Sequence, residues 1–331
     1  MSLNIALGFD HNFIRHAAVT VTSLLEHVSE SVTFYMMCDD SVTAKEQQRF
    51  EEILKRCPPN DKTGSEHMIK WISMKKEFGN LYVGCWSQAM YYPLALPEVC
   101  PENRILFLDA DTLVLSDLVS FYHQDLTGFY LAAAHDFPVD IWTKYDKYIH
   151  DDKGGRILLS DYFIRTRGWN AGDMKRYFNS GVLLMNLKFM RQENFSEKVR
   201  KALKEEFFVF PDQDCLNFIC HDKVKIVSPE YNLIIVESVL RRHISSSITD
   251  YYKYQKQPAI VHFVMKPWKS PFDKIPYSEL YWNYLKRTPY KKYAAWRYRL
   301  SCRAVRKWLF QVRFKRHFMV IRLFGVYILG R

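Results

Sequence analysis

Leu106–Val114 reads LFLDADTLV, an apolar run broken by two carboxylates one residue apart, Asp109 and Asp111. At the end of a buried strand, such a pair reaches one hard divalent cation. Mg²⁺ and Mn²⁺ take one or two carboxylates together with phosphate oxygens. A cation held this way neutralises the charge that develops on a departing diphosphate. A bare D-x-D is common in turns, so its weight here comes from the apolar strand that carries it.

The elements around it alternate between strand and helix. Leu3–Phe9 is strand-like and stops at Asp10, a helical pattern runs from Phe13 to His27, and Val32–Cys38 is strand-like and stops at Asp39. Thr43–Arg56 predicts a helix opened by a Thr43/Glu46 capping box. Lys70–Ser73, Arg104–Leu108, Tyr130–Ala134 (ending at His135-Asp136), Tyr177–Leu187 and Ala259–Val264, which carries His262, supply further strands. This order predicts an α/β fold, a mostly parallel sheet with helices on both faces. Ligands of such sheets sit beyond the carboxyl ends of the strands, where Asp10, Asp39 and Asp109 fall. Singly, each reads equally well as a cap or turn former. Trp142–Asp173 is polar and without a clear period, and reads as a mobile excursion over the site.

Charge is unevenly placed. The net charge is +11, yet Lys286–Arg331 holds 14 Lys and Arg and no Asp or Glu, which leaves −3 for residues 1–285. Positive charge concentrated in a tail, not spread around a cleft, argues against a nucleic-acid enzyme. The expected division is therefore a body, 1–285, and a basic aromatic tail, 286–331. Within the tail a helical wheel over Tyr298–Val312 gathers Tyr298, Val305, Trp308, Leu309 and Val312 on one side, with Arg299, Arg303, Arg306 and Arg313 beside them. That pattern predicts an amphipathic helix at an anionic membrane surface. Phe318–Leu329, interrupted by Arg322, is too short to span a bilayer. Seven scattered cysteines without zinc spacing read as reduced thiols in a cytoplasmic protein, and the first residues lack a signal-peptide pattern.

LFLDADTLV, YFNSGVLLMNL, FPDQDCLN and VHF…KPW, in this order, resemble glycosyltransferase family eight. WSQAMYY and PEYN add a likeness to its bacterial lipopolysaccharide glucosyl- and galactosyltransferases, and the similarity spans Ile5 to about Trp268. The resemblance implies a GT-A fold, a UDP-sugar donor, Mn²⁺ (or Mg²⁺) and retention of anomeric configuration. It implies that Asp109, Asp111 and His262 ligate the metal. Gly8, Asp10, Asn12, Ala110 and Lys266 would hold the nucleotide and its diphosphate. Asp136, Asn179 and Asp212 would bind donor-sugar hydroxyls, with Gln213 near the anomeric carbon. One departure stands out: the family carries an Arg where this chain has Pro93, in Tyr91-Tyr92-Pro93-Leu94.

The implied activity is transfer of glucose or galactose to a lipopolysaccharide or related lipid-linked oligosaccharide, on the inner face of the cytoplasmic membrane and without a nucleic-acid partner. Retention could proceed by double displacement on a carboxylate or by a front-face route. The competing readings are a catalytically weakened nucleotide-sugar-binding protein, suggested by Pro93, and a membrane-surface scaffold.

Overall fold

The computed structural model describes residues 2–56, 66–74, 78, 81, 87–145, 147–151, 154–235, 256–269 and 275–293, and the strands within 310–330. The body contains strands β1 (Ser2–Gly8), β2 (Ser31–Cys38), β3 (Met68–Ser73), β4 (Ile105–Leu108), β5 (Thr112–Val114), β6 (Leu131–Ala134), β7 (Tyr148–His150), β8 (Arg156–Leu158), β9 (Val182–Met185), β10 (Val224–Val227), β11 (Leu233–Ile234) and β12 (Ile260–His262). Seven of these form the central sheet, in the order β10-β6-β9-β4-β1-β2-β3. Its neighbours run parallel except where β9 lies antiparallel to both β4 and β6. The mostly parallel α/β sheet expected from the sequence is therefore present.

Side-chain alternation divides the strands between two cores. Leu3, Ile5 and Leu7 of β1, with Leu106 and Leu108 of β4, join the core under the helix Ile14–His27. Ala6, Ile105 and Phe107 face the opposite core, with the helices Tyr92–Val99 and Phe195–Glu205. Because both faces are covered, β4, β6 and β9 are buried along their whole length, which explains their unbroken apolar runs. The helix Ala44–Arg56 opens with the expected capping box. The Thr43 N–H donates to Glu46 Oε2 (3.0 Å) and the Glu46 N–H to Thr43 Oγ1 (3.4 Å).

A second sheet, β11-β12-β5, extends past the end of β4. There β12 runs antiparallel to β5, with His262 opposite Thr112. The helix Ser278–Arg287 packs on the body through Tyr281, Trp282 and Leu285, and Thr288 and Tyr290 beyond it are also buried.

Three local expectations are corrected. Trp142–Asp173 is a packed element, not a loose excursion: it holds the β7–β8 hairpin and a buried cluster of Leu159, Tyr162, Phe163 and Trp169 with Val139 and Tyr177. Its apolar residues, many of them aromatic, are irregularly spaced, so neither a period of 2 nor of 3.6 shows. Within Tyr177–Leu187 only Val182–Met185 is strand; Asn186 then caps a helix, Leu187–Gln192, its Oδ1 accepting the Phe189 N–H at 3.1 Å.

In the tail, Phe310–Lys315 (β13), Phe318–Leu323 (β14) and Val326–Gly330 (β15) form an antiparallel meander, which replaces the expected helix at Phe310–Val312. FQVRFK alternates apolar and polar residues, a strand period that a helical wheel does not test. The rest of that expected helix, 298–309, lies outside the described residues, as do Trp86, Cys57, Cys85 and Cys302.

Candidate active site and metal centre

Past Leu108 the chain turns through Asp109-Ala110-Asp111 into β5, and neighbouring elements fix that turn. The Asp109 N–H donates to the Gly181 carbonyl (2.8 Å), and the Thr112 hydroxyl donates to the Asp109 carbonyl (2.9 Å). Thr20, on the helix Ile14–His27, donates its hydroxyl to the carbonyls of Thr112 (2.8 Å) and Ala110 (3.3 Å). From the other side the Phe263 N–H donates to the Asp111 carbonyl (3.0 Å). The β5–β12 register thereby sets the His262 imidazole beside both carboxylates. Its Nε2 lies 3.5 Å from Asp109 Oδ2 and 3.2 Å from Asp111 Oδ1.

One donor atom from each of Asp109, Asp111 and His262 falls within 4.8 Å of the others. Asp111 Oδ1 is buried and has no hydrogen-bond partner, a costly state for a carboxylate oxygen unless a cation takes its lone pair. Two carboxylates and an imidazole are a donor set that Mn²⁺ accepts, so the residues fit a divalent cation. Asp111 Oδ2 meets the Lys266 ammonium, which burial lowers to about 8. Gly181 gives the cluster its room, since a Cβ there would lie 2.3 Å from His262 Cε1 and 2.8 Å from Asp109 Oδ2.

Behind this cluster is a buried polar network. Asp136 caps the helix Phe137–Lys144, its Oδ1 accepting the Val139 N–H (2.9 Å). Its Oδ2 accepts from Asn179 Nδ2 and Gln213 Nε2, both at 3.0 Å. Gln213 also donates to Tyr177 Oη (3.0 Å), and its Oε1 accepts from Asn179 Nδ2 (3.0 Å) and the Ser180 N–H (3.1 Å). Tyr177 and Tyr162 donate their hydroxyls to the two oxygens of Asp214 (2.6 and 2.7 Å), tying the aromatic cluster to the helix Pro211–Cys220. Asp212 accepts from Ser180 Oγ (2.7 Å); burial, reinforced by the nearby Asp109 charge, pushes its carboxyl up to about 7.

The structure thus brings Asp109, Asp111, His262 and Lys266 together, and joins Asp136, Asn179, Asp212 and Gln213 around the Tyr177–Gly181 segment. Gly8, Asp10 and Asn12 stand at the carboxyl end of β1, the strand that pairs in parallel with β4. Asp10 Oδ1 accepts the N–H groups of Asn12 (2.9 Å) and Phe13 (3.2 Å), so it shapes the entry to the next helix, while Asn12 is exposed. Gly8 lets the chain pass close to Tyr92 and the Ala89 carbonyl, each 3.2–3.3 Å from where its Cβ would be. Ala110 is buried within the D-x-D turn.

The sequence profile of Glycosyl transferase family 8 matches residues 4–271. The chain belongs to this family. It is 26% identical to General stress protein A of Bacillus subtilis, over 84% of this chain and 91% of that protein. It is 25% identical to a lipopolysaccharide 1,2-glucosyltransferase of Escherichia coli (82% and 81%) and 24% identical to a lipopolysaccharide 1,3-galactosyltransferase of Salmonella typhimurium (81% and 73%).

Among solved structures, the bifunctional glycosyltransferase WbbM superposes with a TM-score of 0.76 at 18% identity, over 89% of this chain and 51% of that longer one. The galactosyltransferase LgtC, solved with donor and acceptor sugar analogues, gives 0.63 at 19%, over 86% and 96%. The fold is accordingly GT-A. At the position where the family carries an Arg, Pro93 is buried in the first turn of the helix Tyr92–Val99, its fixed φ suited to that place.

Ser180, Gly181, Tyr177, Asp214 and Asn232 were not singled out by the sequence for any role, although NSG and PEYN contain three of them. Only their contacts across the fold show what they do.

Proposed function

We propose that this chain is a retaining hexosyltransferase that moves glucose or galactose from a UDP-sugar to a lipopolysaccharide or related lipid-linked glycan. The observation that carries this reading is the Asp109–Asp111–His262 cluster, with its unsatisfied buried oxygen, set directly against a buried polar network in a family 8 fold. Asp109, Asp111 and His262 would hold Mn²⁺ or Mg²⁺, which supplies charge neutralisation for the departing diphosphate. Lys266, beside Asp111, offers its ammonium to the diphosphate oxygens as a compact charge. Gly8, Asp10, Asn12 and Ala110 lie where β1 and β4 end, the side on which the nucleotide is expected.

Asp136, Asn179 and Asp212 are assigned to the sugar hydroxyls. Gln213 is a poor nucleophile, because both ends of its amide are already engaged. We therefore favour a front-face return, in which the departing phosphate takes the acceptor's proton. The relatives named for lipopolysaccharide glucosyl- and galactosyl transfer support the donor and acceptor classes. No helix among the described residues is long and apolar enough to cross a membrane. Because Thr288 and Tyr290 are buried against the body, we assign the basic segment 294–331 to contact with an anionic lipid surface on the cytoplasmic side, in the plane of a lipid-anchored acceptor.

The test is incubation with UDP-glucose or UDP-galactose, Mn²⁺ and a truncated core oligosaccharide, with the product anomer read by proton NMR. An α-linked product from these α-configured donors supports the reading, and a β-linked product rejects retention.

A further inference from the structure

The groups behind the metal centre form a chain of hydrogen bonds whose direction is fixed by chemistry. From that chain we infer that Asn232 is a positioning residue: it sets the His262 tautomer and couples the cation site to the polar network on the sugar side. The inference rests on the reading of Asp109, Asp111 and His262 as a cation site.

The derivation starts at two backbone N–H groups, which can only donate. Ser180 N–H donates to Gln213 Oε1 (3.1 Å) and Gly181 N–H to Asn179 Oδ1 (2.9 Å). These contacts settle which end of each amide is oxygen. The Asn232 amide meets Asn179 Oδ1 at 2.9 Å, so it must present its Nδ2 there. Its other end, Oδ1, then faces His262 Nδ1 at 3.2 Å, and an oxygen at that distance requires a proton on Nδ1. In the neutral imidazole Nε2 is then left with its lone pair, on the side of the ring that faces the carboxylates of Asp109 and Asp111.

Backbone pairing holds the arrangement. Asn232 ends the turn Pro229–Asn232 immediately before β11, and β11 lies parallel to β12, with Ile234 opposite His262. Asn232 and His262 are 3% and 4% exposed, so water does not compete for these bonds. The imidazole is consequently presented ready to ligate. The same amide reaches, through Asn179, to Asp136 and Gln213, so a displacement on either side is felt on the other.

The test uses Mn²⁺ alone, without nucleotide, followed by EPR titration of the full chain. Asn232→Leu removes both bonds at nearly constant volume and is expected to weaken Mn²⁺ binding ~10–100-fold. Asn232→Asp keeps an acceptor for Nδ1–H and is expected to recover most of that loss. Asp109→Asn serves as the control for the cation site itself. If it binds Mn²⁺ as wild type does, the cation reading fails. If it loses binding while Asn232→Leu equals wild type, only the present inference fails.

A measurement on the unaltered protein removes dependence on variant folding. Long-range ¹H–¹⁵N correlation of the metal-free protein at pH 8 should show His262 as the Nδ1–H tautomer. A neutral Nε2–H tautomer would overturn the assignment.

Discussion

Gly181 is the tightest single position in the site. Its φ is not positive, so alanine fits the backbone there, and the whole effect of Gly181→Ala comes from the space its methyl would take. That methyl displaces His262 and Asp109 together. We expect a loss of at least ~10-fold in Mn²⁺ affinity, of the order seen when metal ligands lose their support, with a near-native circular dichroism spectrum. Unchanged affinity would show that the cluster has slack that the distances deny. This requirement was not legible in the sequence, since Gly181 is 72 residues from Asp109 and 81 from His262. The D-x-D was legible because one apolar run, Leu106–Val114, brackets both carboxylates. His262 and Lys266 entered only through resemblance, and the β5–β12 register supplies their physical reason.

At the scale of elements, the turn bearing Lys266 is held by a stack that reading along the chain did not reveal. Trp268 lies on the His16 imidazole, ring centroids 3.6 Å apart, and His16 Nδ1 meets the Tyr281 hydroxyl of the helix Ser278–Arg287. The first helix and two segments some 250 residues further along thus share one buried imidazole. Burial, aided by the charges of Arg15, Lys266 and Lys269, holds His16 well below its ordinary value of 6.5. The folded chain therefore binds fewer protons than the unfolded chain as pH falls below 6.5, and stability declines on acidification by up to ~1.4 kcal/mol per pH unit until His16 itself titrates. Thermal melts from pH 7.5 to 5 should show a decline that is shallower in His16→Gln; equal slopes would exclude His16 as the cause. β1, β2, β4, β6 and β9 were legible because burial selects apolar runs, whereas the half-exposed edge strand β10, VKIV, was not expected. The 142–173 element was not, because its core is built of irregularly spaced rings.

Across the whole molecule the contrast is between a body, 1–285, of net charge −3 and a segment, 286–331, that holds 14 basic residues and no acidic one. The tail's charge was plain from composition, whereas its strands were hidden by the choice of a helical period. In the register of β13 and β14, Phe310 pairs with Leu323, Val312 with Ile321 and Phe314 with Met319, while Gln311 pairs with Arg322, Arg313 with Val320 and Lys315 with Phe318. Each basic residue near anionic lipid contributes on the order of 1 kcal/mol, so several together give reversible attachment. Vesicle flotation should carry the full chain with phosphatidylglycerol vesicles at low salt and release part of it at high salt. A chain lacking residues 294–331 should stay in solution, and its floating equally well would remove the tail from this role.

The account as a whole stands on a cation held by Asp109, Asp111 and His262 during turnover of a UDP-sugar. UDP release from UDP-glucose and UDP-galactose, followed with and without excess chelator, tests that claim most directly. We expect release with Mn²⁺, its loss in chelator, its return when Mn²⁺ is restored, and none from Asp111→Asn. Undiminished release in chelator, or from that variant, would contradict it.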